Sequence, residues 1–180
     1  KEGRRIGAGN RTVEVSQEPK ITALLEQIGM TDCNTCKTPL PCTAALPDAS
    51  DCPTTEEEER AITAKTSHPT YSAFRTEFRE IIGYLSHLCE YGRPDLMQSV
   101  HYLARFQAHP AMAHYTCVKR IVRYCKETKN MPMIFGNDKH PYSKEPLVGF
   151  VDSDYAGCKG SAKSTSGSAF LSYGTVIECK

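Results

Sequence analysis

No stretch of this sequence is long and apolar enough to resemble a signal segment, tryptophan is absent, and neither sign of charge dominates. Lysine and arginine number 22 against 21 aspartates and glutamates, so the formal net charge is only +1. The hydrophobic fraction of 39% and the charged fraction of 24% are those of an ordinary globular protein. The composition therefore excludes a membrane-bound or disordered chain, and 180 residues suffice for one sizeable core or two small ones.

A regular cysteine framework is also missing. The nine cysteines are odd in number and irregularly spaced, which favours mostly free thiols and a reducing compartment over a secreted disulfide scaffold. Four of them contain a single C-x-x-C, whereas a zinc site needs a second pair or suitably spaced histidines. These four are Cys33, Cys36, Cys42 and Cys52. Scattered thiols are the favoured interpretation, and a zinc-organised interaction domain is the alternative.

Residues 1–40 predict a β-hairpin followed by a short helix. In "GAGNRTVEVS" a turn precedes Val13 and Val15, which alternate with polar residues as in a half-buried strand. The segment "EPKITALLEQIGM" then places four apolar residues at helical spacing, with Pro19 in the first turn and Gly29 just past the end. Residues 41–70 are rich in proline, threonine and acidic residues without an apolar period, and this predicts a linker or long loop.

Residues 71–130 predict three helices, of which the third segregates its charges most clearly. The segments are "FRTEFREIIGYLSHLCEYG", "RPDLMQSVHYLARFQAH" and "AMAHYTCVKRIVRYCKET". The third places four cations away from its apolar face: Lys119, Arg120, Arg123 and Lys126. A solvated surface explains such a face, and contact with a phosphate backbone is the alternative, because that contact needs charge without base-reading geometry.

Residues 147–180 return to short apolar runs separated by glycine and predict three strands of a second domain. The first strand ends near Asp152 and Asp154, whose i, i+2 spacing directs both carboxylates to one face. Magnesium accepts such ligands, but a two-metal nuclease needs carboxylates from several elements, and aspartates at strand ends are also common turn residues. The spacing alone leaves both interpretations open.

In chain order, six segments resemble the Pol polyprotein of copia-type retrotransposons, from the end of the reverse transcriptase into the start of the RNase H domain. They are "NRTVEVSQ", "LLEQIGMTDC" with "TPL", "FREIIGYLSHLCEYGRPDL", "LARFQAHP", "VKRIVRYCKETKNMPMIF" and "LVGFVDSDYAGCKGSAKSTSG". The resemblance implies an α+β chain with four parts. These are the end of a palm-like region (1–40), a linker (41–70), a helical thumb or connection-like region (71–130) and the truncated β-sheet start of an RNase H-like α/β domain (147–180).

The resemblance also implies functional residues and partners. Asp152, after Phe150 and Val151, matches the first RNase H metal ligand, with Mg²⁺ as the cofactor, while the KSTSG pattern opens the next strand. The cationic helix is expected to contact an RNA/DNA hybrid or a template-primer duplex. The rest of the polyprotein is the other expected partner, without a membrane, in a cytoplasmic particle and/or the nucleus.

Four positions of the chain differ from the family pattern. Tyr155 and Cys179 stand where the family carries tryptophan, and Cys158 and Ala162 where it often has aspartate and arginine, which indicates a diverged copy. By resemblance, the polymerase aspartates and the other RNase H carboxylates lie outside this chain. We therefore expect a Pol fragment that is inactive in isolation, and the alternative is a non-catalytic nucleic-acid-binding module.

Overall fold

The computed structural model describes residues 12–41, 46–137, 139–154 and 164–179. Within these ranges the chain forms five α-helices and five short strands. The helices are α1 (Glu18–Gln27), α2 (Glu56–Lys65), α3 (Tyr71–Glu90), α4 (Met97–Ala104) and α5 (Met112–Glu127). The strands are β1 (Val13–Val15), β2 (Met133–Phe135), β3 (Val148–Asp154), β4 (Thr165–Ser172) and β5 (Thr175–Cys179). The predicted α+β class is confirmed.

Helix α3 is the centre of the hydrophobic core. Its apolar residues recur every three or four positions, so they form one stripe that packs against α1, α2, α4 and α5. Six members of the predicted stripe are buried: Phe74, Phe78, Ile81, Ile82, Leu85 and Leu88. Each fully buried side chain of this size contributes roughly 1.5–3 kcal/mol of transfer free energy. The predicted helices α1, α3, α4 and α5 are all confirmed.

The prediction of a linker without regular structure across residues 41–70 is wrong for residues 56–65, which form α2. A capping box begins this helix: the Thr55 hydroxyl accepts a hydrogen bond from the Glu58 amide, and the Glu58 carboxylate accepts one from the Thr55 amide. Four glutamates in its first turn face the positive end of the helix dipole. Because Ile62 is its one buried residue, α2 lacks the apolar stripe that reveals the other helices.

The strands form two small antiparallel sheets. Strand β1 pairs with β2, with Val13 opposite Phe135, so the predicted strand is confirmed and its partner lies far along the chain. The predicted hairpin turn at residues 7–10 lies outside the described residues. The second sheet has the order β3-β4-β5, which confirms the three predicted strands. Tyr173 and Gly174, with φ of 47° and 78°, form the tight turn between β4 and β5.

Large apolar side chains remain exposed on the β3-β4-β5 sheet, including Leu147 beside it and Val151 on it. Gly149 of β3 lies under the Phe170 ring, where an added Cβ would come within 3.0 Å of that ring. Among the described residues, no helix combines the length and the apolar character needed to cross a membrane.

Candidate nucleic-acid interface and the Asp152 strand

Helix α5 presents its cations because its opposite face is fixed in the core. Val118, Ile121, Val122 and Cys125 are fully buried, and this sets the rotation of the helix. At its start, the Ala111 amide donates to Nδ1 of the buried His114 at 3.0 Å. Burial lowers the pKa of His114, so its ring is a neutral acceptor in this cap.

The four cations of α5 have different surroundings. Lys119 is exposed, and its Nζ lies 4.4 Å from the centre of the Tyr115 ring. Arg120 donates from Nη2 to the Thr38 hydroxyl at 2.8 Å and from Nε to the Thr38 carbonyl at 3.3 Å. Lys126 donates to the Cys33 carbonyl at 2.6 Å. Arg123 is half-buried, and its Nε has no hydrogen-bond partner within the described part of the chain.

Two of the four cations therefore hold the segment 33–38 against α5. That segment follows α1, so these bonds connect the N-terminal part of the chain to the helical core. A hydrogen bond from a charged donor to a carbonyl is stronger than one between two neutral groups. The predicted cationic face is thus partly an intramolecular contact, which leaves Lys119 and Arg123 with the most freedom to meet an outside anion.

Asp152 lies near the end of β3 with an exposed side chain. Its partner across the ladder is Gly167 of β4, which has no side chain to cover the carboxylate. Phe150 lies two residues earlier and shares its face of the sheet. The Phe150 ring contacts the Tyr142 ring edge-on, with ring centres 5.6 Å apart. As predicted for the KSTSG pattern, β4 begins at Thr165.

The described residues do not complete a magnesium site. Asp152 is a single carboxylate, and no group of three or more potential metal ligands exists among the side chains that the structure describes. The Asp154 side chain lies outside the described part, as do residues 155–163. Because one carboxylate does not hold and orient a catalytic ion by itself, no catalytic step follows from this geometry.

The cysteines of the zinc alternative are free where they are described. Cys33, Cys36 and Cys52 are half-buried thiols, and Cys42 lies outside the described residues. None of the three belongs to a group that could hold a metal ion within the described ranges. Cys89, Cys117, Cys125 and Cys179 are also free, so the expectation of free thiols is confirmed for seven cysteines.

Sequence reasoning missed a buried ionic network around Arg93. Its side chain is 2% exposed and forms two hydrogen bonds with the Asp95 carboxylate. It also donates to the Thr128 hydroxyl at 2.6 Å, while the Tyr124 hydroxyl donates to Asp95 at 3.0 Å. The available signal was an arginine directly before the Pro-Asp start of a helix, but nothing in the pattern indicated its burial.

A second missed cluster joins His68, Glu77 and Tyr115. Glu77 pairs with His68 through one oxygen and accepts a hydrogen bond from the Tyr115 hydroxyl at 2.6 Å through the other. Burial, reinforced by the Glu77 carboxylate, raises the pKa of Tyr115. These contacts connect the segment before α3 to both α3 and α5, which is a structural role.

Comparison with known proteins gives three informative relatives. Over 160 residues the chain is 31% identical to an uncharacterized mitochondrial protein of Arabidopsis thaliana, covering 85% of this chain and 54% of that protein. Over 168 residues it is 29% identical to the retrovirus-related Pol polyprotein from transposon TNT 1-94 of Nicotiana tabacum, covering 93% of this chain and 11% of the polyprotein. The Pol polyprotein from transposon RE1 of Arabidopsis thaliana is 36% identical over 96 residues, 51% of this chain and 6% of its own length.

No family model and no solved structure matches the chain. Two of these relatives belong to one class of protein, the retrovirus-related Pol polyproteins of transposons. The chain is thus similar to the Pol polyproteins of transposons, at 29% identity over 93% of its length for one and 36% over 51% for another. It spans about half the length of the mitochondrial relative and a small part of each polyprotein.

Proposed function

We propose that the chain is the part of a retrotransposon Pol polyprotein that joins the end of a reverse transcriptase to the beginning of an RNase H domain. One observation carries this proposal: a single match to a Pol polyprotein covers 93% of the chain. A match of that extent includes most of the α1–α5 core and most of the β3-β4-β5 sheet. The two parts are therefore expected to follow each other in the same order in the Pol polyprotein. The activities themselves belong to a longer chain.

The helical part would support a template-primer duplex or an RNA/DNA hybrid through its cations. A polymerase reads sequence through base pairing, so its protein contacts need charge toward the phosphates rather than base recognition. The exposed Lys119 and the half-buried Arg123 are the members of the predicted set that fit this role best. Arg120 and Lys126 would contribute mainly by holding residues 33–38 in place.

Asp152 would be the first Mg²⁺ ligand of the RNase H domain. Its exposure and the absence of a side chain at the opposing Gly167 leave space for an ion and a substrate phosphate. Mg²⁺ keeps several waters and takes one or two carboxylates plus phosphate oxygens, so the remaining ligands would come from other parts of the Pol chain. By itself this chain is expected to cleave no hybrid.

The Asp152 assignment is tested in a longer Pol chain that contains these residues and cleaves an RNA/DNA hybrid with Mg²⁺. Asp152→Asn is expected to lower the cleavage rate at least about 100-fold while hybrid binding stays unchanged, because a neutral amide holds the ion poorly. Asp32→Asn is the matched control, since it makes the same change at another exposed aspartate, in the loop that follows α1. Full cleavage by Asp152→Asn would contradict the assignment.

The alternative, a non-catalytic nucleic-acid-binding module, rests on the cations of α5 alone. It predicts salt-dependent hybrid binding by the isolated chain, with a loss on charge reversal at Lys119 and Arg123 but not at the exposed Arg60 of α2. If this binding is found and the longer chain carrying Asp152→Asn still cleaves normally, the module replaces the Pol assignment of Asp152. Binding together with lost cleavage supports the leading proposal.

A further inference from the structure

A pocket of about 540 Å³ lies between α5 and the segment that precedes α2. Pro41 and Pro47 form part of one wall, and Cys117, Arg120 and Arg123 line the helix side. The pocket is open to solvent, and residues 42–45, between Pro41 and Leu46 of its lining, lie outside the described part. It therefore combines apolar walls with two guanidinium groups, an environment in which charged hydrogen bonds are stronger than in open water.

The two arginines are spaced i, i+3 on α5, so their side chains are neighbours on one face. A guanidinium has five N–H donors, and Arg120 uses Nε and one Nη2 donor on Thr38, which leaves three. Arg123 has its Nε buried without a partner among the described residues. A donor without an acceptor is unfavourable, so a hydrogen-bond acceptor beside the Arg123 guanidinium would be stabilising.

Asp51 is the one acidic residue among those that line the pocket. One of its carboxylate oxygens accepts the Asp48 amide at 2.8 Å, which is part of the capping box of the Ala49–Asp51 turn. The two arginines exceed this single negative charge, so the ionisable side chains of the lining sum to +1. Burial raises the pKa of Cys117, which keeps its thiol neutral and removes it as a second anion.

We infer that this pocket binds a phosphate group through Arg120 and Arg123. Phosphate fits better than a carboxylate because it presents three or more oxygens to the free donors of two planar guanidinium groups. The phosphate belongs either to a free ion or to a polynucleotide backbone. Its assignment to a polynucleotide rests on the proposed function, whereas its assignment as an anion site rests only on the pocket.

The test is a titration of the purified chain with inorganic phosphate, read from the Nε–H resonances of its arginines at constant ionic strength, with chloride as the reference anion. A saturating shift of the Arg123 resonance is expected. Arg123→Gln should weaken phosphate binding about tenfold, which corresponds to one charge-assisted hydrogen bond. Arg60→Gln is the matched control, since it removes the same charge from an exposed pair with Glu56 on α2.

A second variant guards against a folding defect in Arg123→Gln. Asp51→Asn removes the opposing charge but keeps a carbonyl acceptor for the Asp48 amide, so it should bind phosphate several-fold more tightly. No saturating shift, equal weakening by Arg123→Gln and Arg60→Gln, or unchanged affinity in Asp51→Asn would each overturn the inference.

A short phosphodiester oligonucleotide provides the second arm of the experiment. If it shifts the Arg123 resonance at lower phosphate concentration than the inorganic ion, the phosphate comes from a polynucleotide. If inorganic phosphate binds and the oligonucleotide leaves Arg123 unchanged, the anion site stands and the nucleic-acid role of this pocket fails. Failure of the anion site and failure of the proposed nucleic-acid role therefore give different results.

Discussion

The guanidinium of Arg93 faces the carboxylate of Asp95 in a two-bond geometry, with Nε to Oδ1 at 2.9 Å and Nη2 to Oδ2 at 2.8 Å. The residues are two positions apart, and the intervening Pro94 starts the short turn that leads into α4. Arg93 is buried, whereas the Asp95 side chain is 31% exposed. The pair is therefore asymmetric: water reaches the anion but not the cation.

This asymmetry predicts different costs for the two truncations. Asp95→Ala leaves the buried guanidinium of Arg93 without its carboxylate and with only its hydrogen bonds to Thr128. We therefore expect the free energy of unfolding to fall by about 3–5 kcal/mol. Arg93→Met keeps most of the buried apolar volume and leaves Asp95 with Tyr124 and water, so about 1–3 kcal/mol is expected. Urea denaturation of both variants measures the difference. A larger loss for Arg93→Met than for Asp95→Ala would contradict the account.

The helices of the core were predictable because burial on one face leaves a period in the sequence. The stripe of α3 runs from Phe74 to Leu88 without interruption, and it was found intact. Helix α2 left no such stripe, since capping and first-turn glutamates begin it and Ile62 alone anchors it. The spacing of Thr55 and Glu58 is typical of a capping box and indicates the start of that helix, whereas apolar periodicity does not reveal it.

The long-range contacts were not predictable. Arg120 and Thr38 are separated by 82 positions, and Lys126 and Cys33 by 93, so no local pattern indicates that the cations meet carbonyls. The same holds for β1, whose partner β2 follows all five helices. At the candidate site, Asp152 as a metal ligand stays a prediction from the resemblance, and the structure adds that its strand partner Gly167 has no side chain to cover the carboxylate.

The turn between β4 and β5 depends on Gly174. Its φ is +78°, and an added Cβ would lie 2.5 Å from Nδ1 of His140, so Gly174→Ala combines backbone strain with a collision. We expect faster amide hydrogen exchange throughout β4 and β5 in this variant. Combining it with His140→Ala should restore part of the protection, because the ring atoms 2.5 Å and 2.7 Å from the added Cβ are removed, while the backbone strain and the His140 Cβ at 2.8 Å remain. No recovery in the double variant would show that the ring does not cause the defect.

The capping box of α2 predicts a local dependence on pH. Hydrogen bonds from the backbone of Thr54 and Thr55 lower the pKa of Glu58 below its ordinary value of 4.5. Because the pKa of Glu58 is lower in the folded protein, its carboxylate stabilises the helix start fully at pH values above its ordinary pKa of 4.5. This stabilisation is lost as the pH falls through the folded pKa. The protection of the first-turn amides of α2, taken relative to the intrinsic exchange rate at each pH, should therefore fall on acidification.

Glu58→Gln is the control for this effect. The amide oxygen keeps an acceptor but does not titrate, so exchange in the first turn should lose the part of its pH dependence that Glu58 causes. Glu57 is exposed in the same turn, and Glu57→Gln should leave the dependence in place. Equal pH profiles for the two variants would mean that the cap does not sense protonation.

The thiols of the core predict selective alkylation. Burial raises the pKa of Cys89 and of Cys125 to about 12, so neither holds an appreciable thiolate at about pH 8, and the thiolate is the reactive form. Cys36 is half-buried in the loop after α1 and lies outside the core. In the native protein, Cys36 should react with iodoacetamide at least about tenfold faster than Cys89 or Cys125, as measured by mass spectrometry of peptides.

Unfolding in urea provides the reference for that comparison. The three cysteines should then react at similar rates, because the difference arises from the fold and not from neighbouring sequence. The ratio of native to unfolded rates for Cys125 also reports how often the α3–α5 interface opens, since alkylation requires the thiol to meet solvent. Equal native rates for Cys36 and Cys125 would contradict a closed core around the fully buried Cys125.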